Sequence, residues 1–277
     1  MQTIILGSGG PLPHPLRAGP STLVRTGAGD FLFDCGRGVL MRLAAAGSAA
    51  GVLGGVFLTH LHSDHTTDLN DIVTSQWITS FQPQPLPVYG PIGTASLLEA
   101  TEAMLELDIG YRLAHHDDLQ WRPSAAVVEC EQGTVLEHGG VRVSTAPTDH
   151  APVRPTIGFR VEEGGRSVVI AGDTVPCAGL DELCAGADML VQTVTRPDLI
   201  KAIGLPRFLD VLDYHSSVED AARTAARNGV GTLVLTHLVP APEPGTEPAW
   251  AALAAQEFDG TVVVAHDLLT LDVGPTD

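Results

Sequence analysis

The sequence predicts an α/β sandwich, with two β-sheets inside and helices outside. Short apolar runs of strand length recur from one end of the chain to the other. Helix-period patterns fall between them. In each half, strands come first and again last, which suits stacked sheets covered by helices. No linker, repeat or low-complexity stretch divides the chain, so residues 1–277 are read as one domain.

The strand-like runs are residues 3–6, 21–24, 31–33, 55–58, 127–129, 141–145, 156–161, 167–171, 189–193, 232–235 and 261–264. Several are unbroken apolar stretches, as expected of strands covered on both faces. Helix patterns occupy residues 39–46, 67–79, 95–107 and 218–228. The last is the best signalled, because Ser216 and Glu219 have capping-box spacing and Gly229 stands at the stop. The proline-rich pieces 83–91 and 240–248 read as shaped surface loops.

Composition narrows the function. The chain carries 15 Lys+Arg against 33 Asp+Glu, a net charge of −18. That speaks against a protein that grips long nucleic acid by neutralising its phosphates. A hydrophobic fraction of 44% excludes disorder, and with aromatics at only 5% the core must be mostly aliphatic. Met1-Gln2-Thr3-Ile4-Ile5-Leu6-Gly7 lacks a basic leader and reads as a first strand. No apolar run approaches the roughly 18 residues of a membrane span. Cys35, Cys130, Cys177 and Cys184 form no CxxC pair and are expected to be reduced thiols of a cytoplasmic protein.

The histidines carry the chemistry. The run 55–58 ends in Thr59-His60-Leu61-His62-Ser63-Asp64-His65, which places four potential ligands in six residues directly after an apolar strand. Imidazole with carboxylate suits Zn²⁺ or a similar first-row metal. His150, Asp173 and His237 share this context of a strand end opening into a loop. Two three-ligand sets follow: His60, His62 and His150 for one metal, and Asp64, His65 and His237 for a second. Asp173 can bridge both with its two oxygens. Two neighbouring metals can share a hydroxide and clamp an ester in line.

With these residues in place the chain resembles a metallo-β-lactamase-fold hydrolase of the ribonuclease Z-like branch. The motifs are Leu6-Gly7-Ser8-Gly9-Gly10-Pro11, Phe33-Asp34-Cys35-Gly36, the 59–65 cluster, His150, Gly172-Asp173-Thr174, His215-Ser216-Ser217 and Thr236-His237. The resemblance implies a metallo-β-lactamase-type αββα four-layer sandwich with two Zn²⁺ per chain, Mn²⁺ or Fe²⁺ being alternatives. It implies that His215 protonates the leaving group or stabilises the transition state, and that Asp64 additionally accepts the nucleophile's proton. His215, Ser216 and Ser217 lie at a helix start, where free N–H groups favour an anion. Ser216, Ser217, Arg17 and His14 are candidate substrate contacts, with Arg37 and Arg154 as further anion contacts. His115, His116, His138 and His266 are assigned no catalytic place.

One departure shapes the substrate expectation. tRNA-processing members of the branch carry a long inserted arm between the third His motif and the bridging Asp. Only 22 residues separate His150 from Asp173 here, enough for a strand hairpin. Together with the acidic balance, this favours a small anionic ester as substrate, with no extended nucleic-acid surface and no membrane association. The leading expectation is a dinuclear-metal phosphodiesterase acting on small phosphodiesters such as cyclic nucleotides, through a metal-bound hydroxide. The alternatives are an arylsulfatase-like hydrolase, a tRNA 3′-processing endonuclease and a non-catalytic metal-binding scaffold. Residues 86–118 are expected to form a helical lid over the cleft, with Trp77, Phe81, Tyr111 and Trp121 either walling it or packing in the core. The resemblance also implies a homodimer.

Overall fold

Parallel strands need crossover connections, and this chain uses them to put its helices on the outside. The structure is a computed structural model that describes residues 1–274. One seven-stranded sheet runs in the order β14 (Leu269–Asp272), β1 (Gln2–Gly7), β2 (Ser21–Thr26), β3 (Gly29–Phe33), β4 (Leu53–Phe57), β5 (Leu86–Gly90) and β6 (Ala125–Glu129). The other runs β13 (Thr261–Val264), β12 (Thr232–Val239), β11 (Met189–Thr195), β10 (Arg166–Ile170), β9 (Ile157–Glu163), β8 (Val141–Pro147) and β7 (Gly133–His138). Each sheet is antiparallel over its first strands and parallel over its last ones: β3 to β6 in one, β10 to β13 in the other.

The crossovers of the first sheet are α1 (Val39–Ala45), the pair α2 (Ser63–Thr66) and α3 (Leu69–Thr79), and α4 (Thr94–His115). Those of the second are α5 (Ala178–Cys184), the group α6 (Pro197–Ile203), α7 (Pro206–Leu209) and α8 (Val218–Arg227), and α9 (Glu247–Ala254). Apolar side chains fill three layers. Aliphatic residues pack under the helices on each outer face, and a third layer joins the two sheets. This is the expected αββα sandwich. No described helix is long and apolar enough to cross a membrane, and all four cysteines are free.

Five of the 13 aromatic side chains meet between the sheets. Phe57 on β4 stacks on Phe33 at 4.8 Å and on Tyr89 at 4.6 Å. It also meets Phe159 of the opposite sheet edge-on at 5.5 Å. Phe33 and Phe57 end their strands just before Asp34 and Leu58-Thr59-His60, so this rigid seam underlies the turns that carry the ligands.

Three sequence expectations need correction. Residues 83–91 are not a surface loop, because Leu86–Gly90 is an interior parallel strand with Leu86 and Val88 buried. Prolines at 83, 85 and 87 hid an alternation of buried and half-buried positions. Residues 86–118 form no lid. They supply β5 and α4, and none of them lines the cleft described below. Trp77 and Trp121 pack in a small cluster with Ile109 and Leu119, while Phe81 and Tyr111 face outward. The cap of α8 lies one residue later than expected. Ser217 is the N-cap, its hydroxyl accepting from the Asp220 backbone, and Asp220 completes the box. Strands β7 and β14 and helices α5, α6, α7 and α9 had no clear signal in the sequence.

Phe57→Ala removes one of the two rings that meet Phe159 across the sheets. It is expected to cost about 3–5 kcal/mol of unfolding free energy. Urea denaturation should show a lowered midpoint with an unchanged slope; a loss below about 1 kcal/mol contradicts the seam's role.

Candidate metal centre

Five strand ends open on one edge of the sandwich. Asp34 follows β3, His60 and its neighbours follow β4, His150 follows β8 and Asp173 follows β10, while His237 lies near the end of β12. Two of these residues leave the usual backbone regions, Asp34 at φ 59° and His237 at φ 46°. Such conformations are costly for non-glycine residues and turn side chains where a regular strand cannot. Gly172, at φ 66°, lets the chain before Asp173 press against Thr59; a Cβ there would stand 2.7 Å from the Thr59 Cβ. The 59–65 and 172–174 motifs are thereby held against each other.

The first ligand set is assembled as expected. His60 Nε2 stands 3.1 Å from His62 Nδ1, which is 3.4 Å from His150 Nε2. His150 donates its Nδ1–H to the Tyr214 carbonyl at 2.8 Å, so its Nε2 presents a lone pair. The second set comprises Asp64, His65 and His237, with His237 Nε2 3.3 Å from Asp64 Oδ2. Between them lies Asp173, but one oxygen alone faces both sets. Its Oδ2 is 3.8 Å from His60, 3.9 Å from His150, 3.4 Å from His65 and 3.5 Å from His237. Its Oδ1 instead accepts from the Thr193 hydroxyl at 2.8 Å. Oδ2 thus faces both sets, while Thr193 fixes the other oxygen of the carboxylate.

The donor set fits a pair of divalent cations. Nitrogen lone pairs converge at 3.1–3.4 Å around His62 with too few protons to satisfy them. His65 Nε2 is buried with no hydrogen-bond partner while it points at Asp173 and Asp64. Buried polar atoms left this way are costly unless something binds them. The protonation pattern agrees. Burial, reinforced by the charge on His65, holds His60 well below the ordinary histidine pKa. Burial likewise takes His150 down to about 4. Burial also opposes charge on His65, but Asp173 and Asp34 outweigh it and hold that imidazole well above its ordinary value. Asp173, which burial alone would raise, is drawn well below the carboxylate range by His237, His65 and His215. The side of the pocket nearest Asp173 and Asp34 thus favours positive charge.

Asp34 is the functional residue that sequence reasoning quoted without giving it a role. Its Oδ2 accepts from His65 Nδ1 at 2.8 Å, and its Oδ1 accepts from the Thr59 backbone at 2.8 Å. Carboxylates in this position fix the tautomer and orientation of a ligating histidine. The available signal was a carboxylate placed directly after a buried strand.

His215 joins neither set as assigned, although its ring also lies within ligand reach of Asp173 and His237. Its Nδ1–H donates to the Val211 carbonyl at 3.0 Å, and its Nε2 lies 3.1 Å from Asp173 Oδ2. The other candidate contacts divide. His14 lines the cleft. Arg17 does not: its guanidinium donates to Ser8 Oγ at 2.8 Å and the Ala265 carbonyl at 2.9 Å, and it pairs with Glu247. Ser216 is fully buried and donates to the Thr174 carbonyl. Ser217 is occupied as the α8 cap. Arg37 reaches the carbonyl of Pro11 at the cleft rim, and Arg154 is exposed beside Asp149. His115, His116, His138 and His266 lie outside the centre.

Residues 30–238 match the family model of the beta-lactamase superfamily domain. A protein named ribonuclease Z from Mycolicibacterium paratuberculosis is 57% identical over 275 residues, covering 99% of this chain and 98% of that one. The chain belongs to the ribonuclease Z family. Another ribonuclease Z, from Mycobacterium bovis, is 55% identical over 277 residues and 99% of each chain. Human tRNase Z, short form, superimposes with a TM-score of 0.73 at 25% identity, over 99% of this chain and 100% of that one. The metallo-β-lactamase-fold protein YhfI of Bacillus subtilis shares the fold at a TM-score of 0.77 and 22% identity, covering 99% and 98%. This ribonuclease Z-family chain is a metal-dependent hydrolase acting on phosphoester bonds; the family implies a dinuclear metal site, and the histidines and aspartates present here could hold it.

These relatives overturn the expectation of a small ester substrate with no nucleic-acid surface. They match the whole chain at nearly equal length, which leaves no room in them for a long arm between His150 and Asp173 either. The missing arm therefore does not separate this chain from proteins named ribonuclease Z. Net charge misled for a physical reason: it describes the far field, whereas a phosphate at the floor of the cleft meets a site arranged for cations.

Three substitutions separate the roles. Asp173→Ala should lower bound metal to one ion or none, while His215→Ala should keep both and lose most turnover. Loss of metal from His215→Ala contradicts its placement outside the ligand sets. Asp34→Asn should weaken metal affinity by about 10–100-fold in a chelator competition; unchanged affinity contradicts its orienting role.

Proposed function

We propose that this chain is a ribonuclease Z: a zinc-dependent endonuclease that hydrolyses the phosphodiester at the 3′ end of precursor tRNA. The observation that carries this reading is the 57% identity to a ribonuclease Z along almost the full length of both chains. The intact donor set supports catalysis over a purely metal-binding scaffold, and its imidazole-rich composition suits Zn²⁺. A cytoplasmic location follows from the proposed substrate.

When bound, two divalent cations supply Lewis acidity, neutralising phosphoryl oxygens and activating water as the nucleophile. His60, His62 and His150 would hold one, and Asp64, His65 and His237 the other, with Asp173 between. The protein's own residues handle the protons. Asp64 accepts the proton of the attacking water. His215, its Nδ1–H fixed by the Val211 carbonyl, holds a proton at Nε2 for the leaving oxygen. The same ring, when protonated, stabilises charge on the phosphoryl oxygens.

The test is a comparison of substrates with the metal-replete enzyme. A precursor tRNA bearing a 3′ trailer should be cut once, with kcat/KM well above that for a cyclic nucleotide or a nitrophenyl sulfate. Turnover confined to the nucleotide or the sulfate contradicts the proposal.

A further inference from the structure

Above the metal centre lies a cleft of about 430 Å³, within the size range of pockets that hold small ligands. Its floor is polar, formed by ligands of both sets together with His215. One wall is different in kind. It runs from α6 through α7 to Tyr214 and presents Ile200, Ile203, Phe208, Val211 and Tyr214 to the cleft. Among the described residues, no Asn, Gln, Glu, Lys or Arg side chain lines the cleft. Tyr214 also anchors the wall to the floor, since its carbonyl holds His150 and its ring meets His150 edge-on at 5.1 Å.

A phosphodiester seated on the floor sends its two ester arms upward. In RNA, the flat and uncharged part of each arm is the base. Bases stack on aromatic side chains with little sequence preference, because every base offers a π-face. A second feature of the wall agrees. Eleven of the 15 cationic side chains are ion-paired. Among the described residues the four others are Arg37, Arg166, Lys201 and Arg207. Two of these, Lys201 and Arg207, stand exposed on α6 and α7, and Arg37 reaches the opposite rim at Pro11. The wall is therefore apolar toward the cleft, and two of the uncommitted positive charges stand exposed on its helices.

We propose that this wall is a nucleobase subsite, in which the base of the nucleotide adjoining the scissile phosphate stacks on Phe208. The proposal rests on the ribonuclease reading for the identity of the phosphate. Ile200 and Ile203 exclude water from the base, and Lys201 and Arg207 face the next phosphates along the strand. With no side-chain amide on the wall to read a base edge, and with the carboxylates of Asp64 and Asp173 engaged at the floor, the subsite accepts all four bases, purines more tightly because they stack over a larger area.

Calorimetric binding of AMP and of ribose 5-phosphate to the metal-replete enzyme tests this without requiring RNA cleavage. AMP should bind roughly 10-fold or more tighter, the scale of one base–aromatic stack. Phe208→Ala should abolish most of that difference, and Phe208→Trp should restore it. Equal binding of the two ligands by the wild type overturns the subsite. So does a Phe208→Ala variant that weakens both ligands equally. Base preference without cleavage of precursor tRNA supports the subsite and overturns the ribonuclease reading alone; cleavage without base preference overturns the subsite alone.

Discussion

One carboxylate oxygen organises this molecule's chemistry. Oδ2 of Asp173 lies within 3.9 Å of ring nitrogens from His60, His65, His150, His215 and His237, which come from four separate parts of the chain. Bringing so many polar groups into a buried space is unfavourable unless positive charge compensates them. The surrounding structure serves to hold this arrangement. The aromatic seam fixes the ends of β3 and β4, the positive-φ turns at Asp34 and His237 re-aim their side chains, and Thr193 and Asp34 leave Asp173 and His65 little freedom.

Much of the centre was legible in the sequence because its ligands follow strands. An apolar run announces the strand, and the first polar residues beyond it announce the site. That logic located His60 through His65, His150, Asp173 and His237 without coordinates. It failed where local signal and tertiary context disagree. Leu86–Gly90 is a strand despite its prolines, because neighbours on both sides complete its ladder. Ser216 and Ser217 differ by one position in the helix cap, and a capping box reads equally well at either spacing until Asp220 is seen to close it. Arg17 is a plausible anion contact in sequence, yet Glu247, Ser8 and a backbone carbonyl engage its donors.

The wall between α6 and Tyr214 was the least legible part. Its helices are short, and nothing in residues 197–214 announces a role until the fold sets them over the metal centre. The substrate inference suffered from a related limit. Net charge and the length between two motifs are global quantities, while recognition is decided within a few ångströms of the cleft. An acidic surface and a site suited to phosphate coexist because the ligand cluster is buried and screened from most of the surface carboxylates.

The central claim is that Asp173 lies between two metal ions held by two distinct ligand sets. Anomalous diffraction from crystals of the protein as purified tests it most directly. Two metal peaks are expected, one among His60, His62 and His150 and one among Asp64, His65 and His237, with Asp173 contacting both. A single peak, or a second ion held by His215 in place of either set, would contradict it.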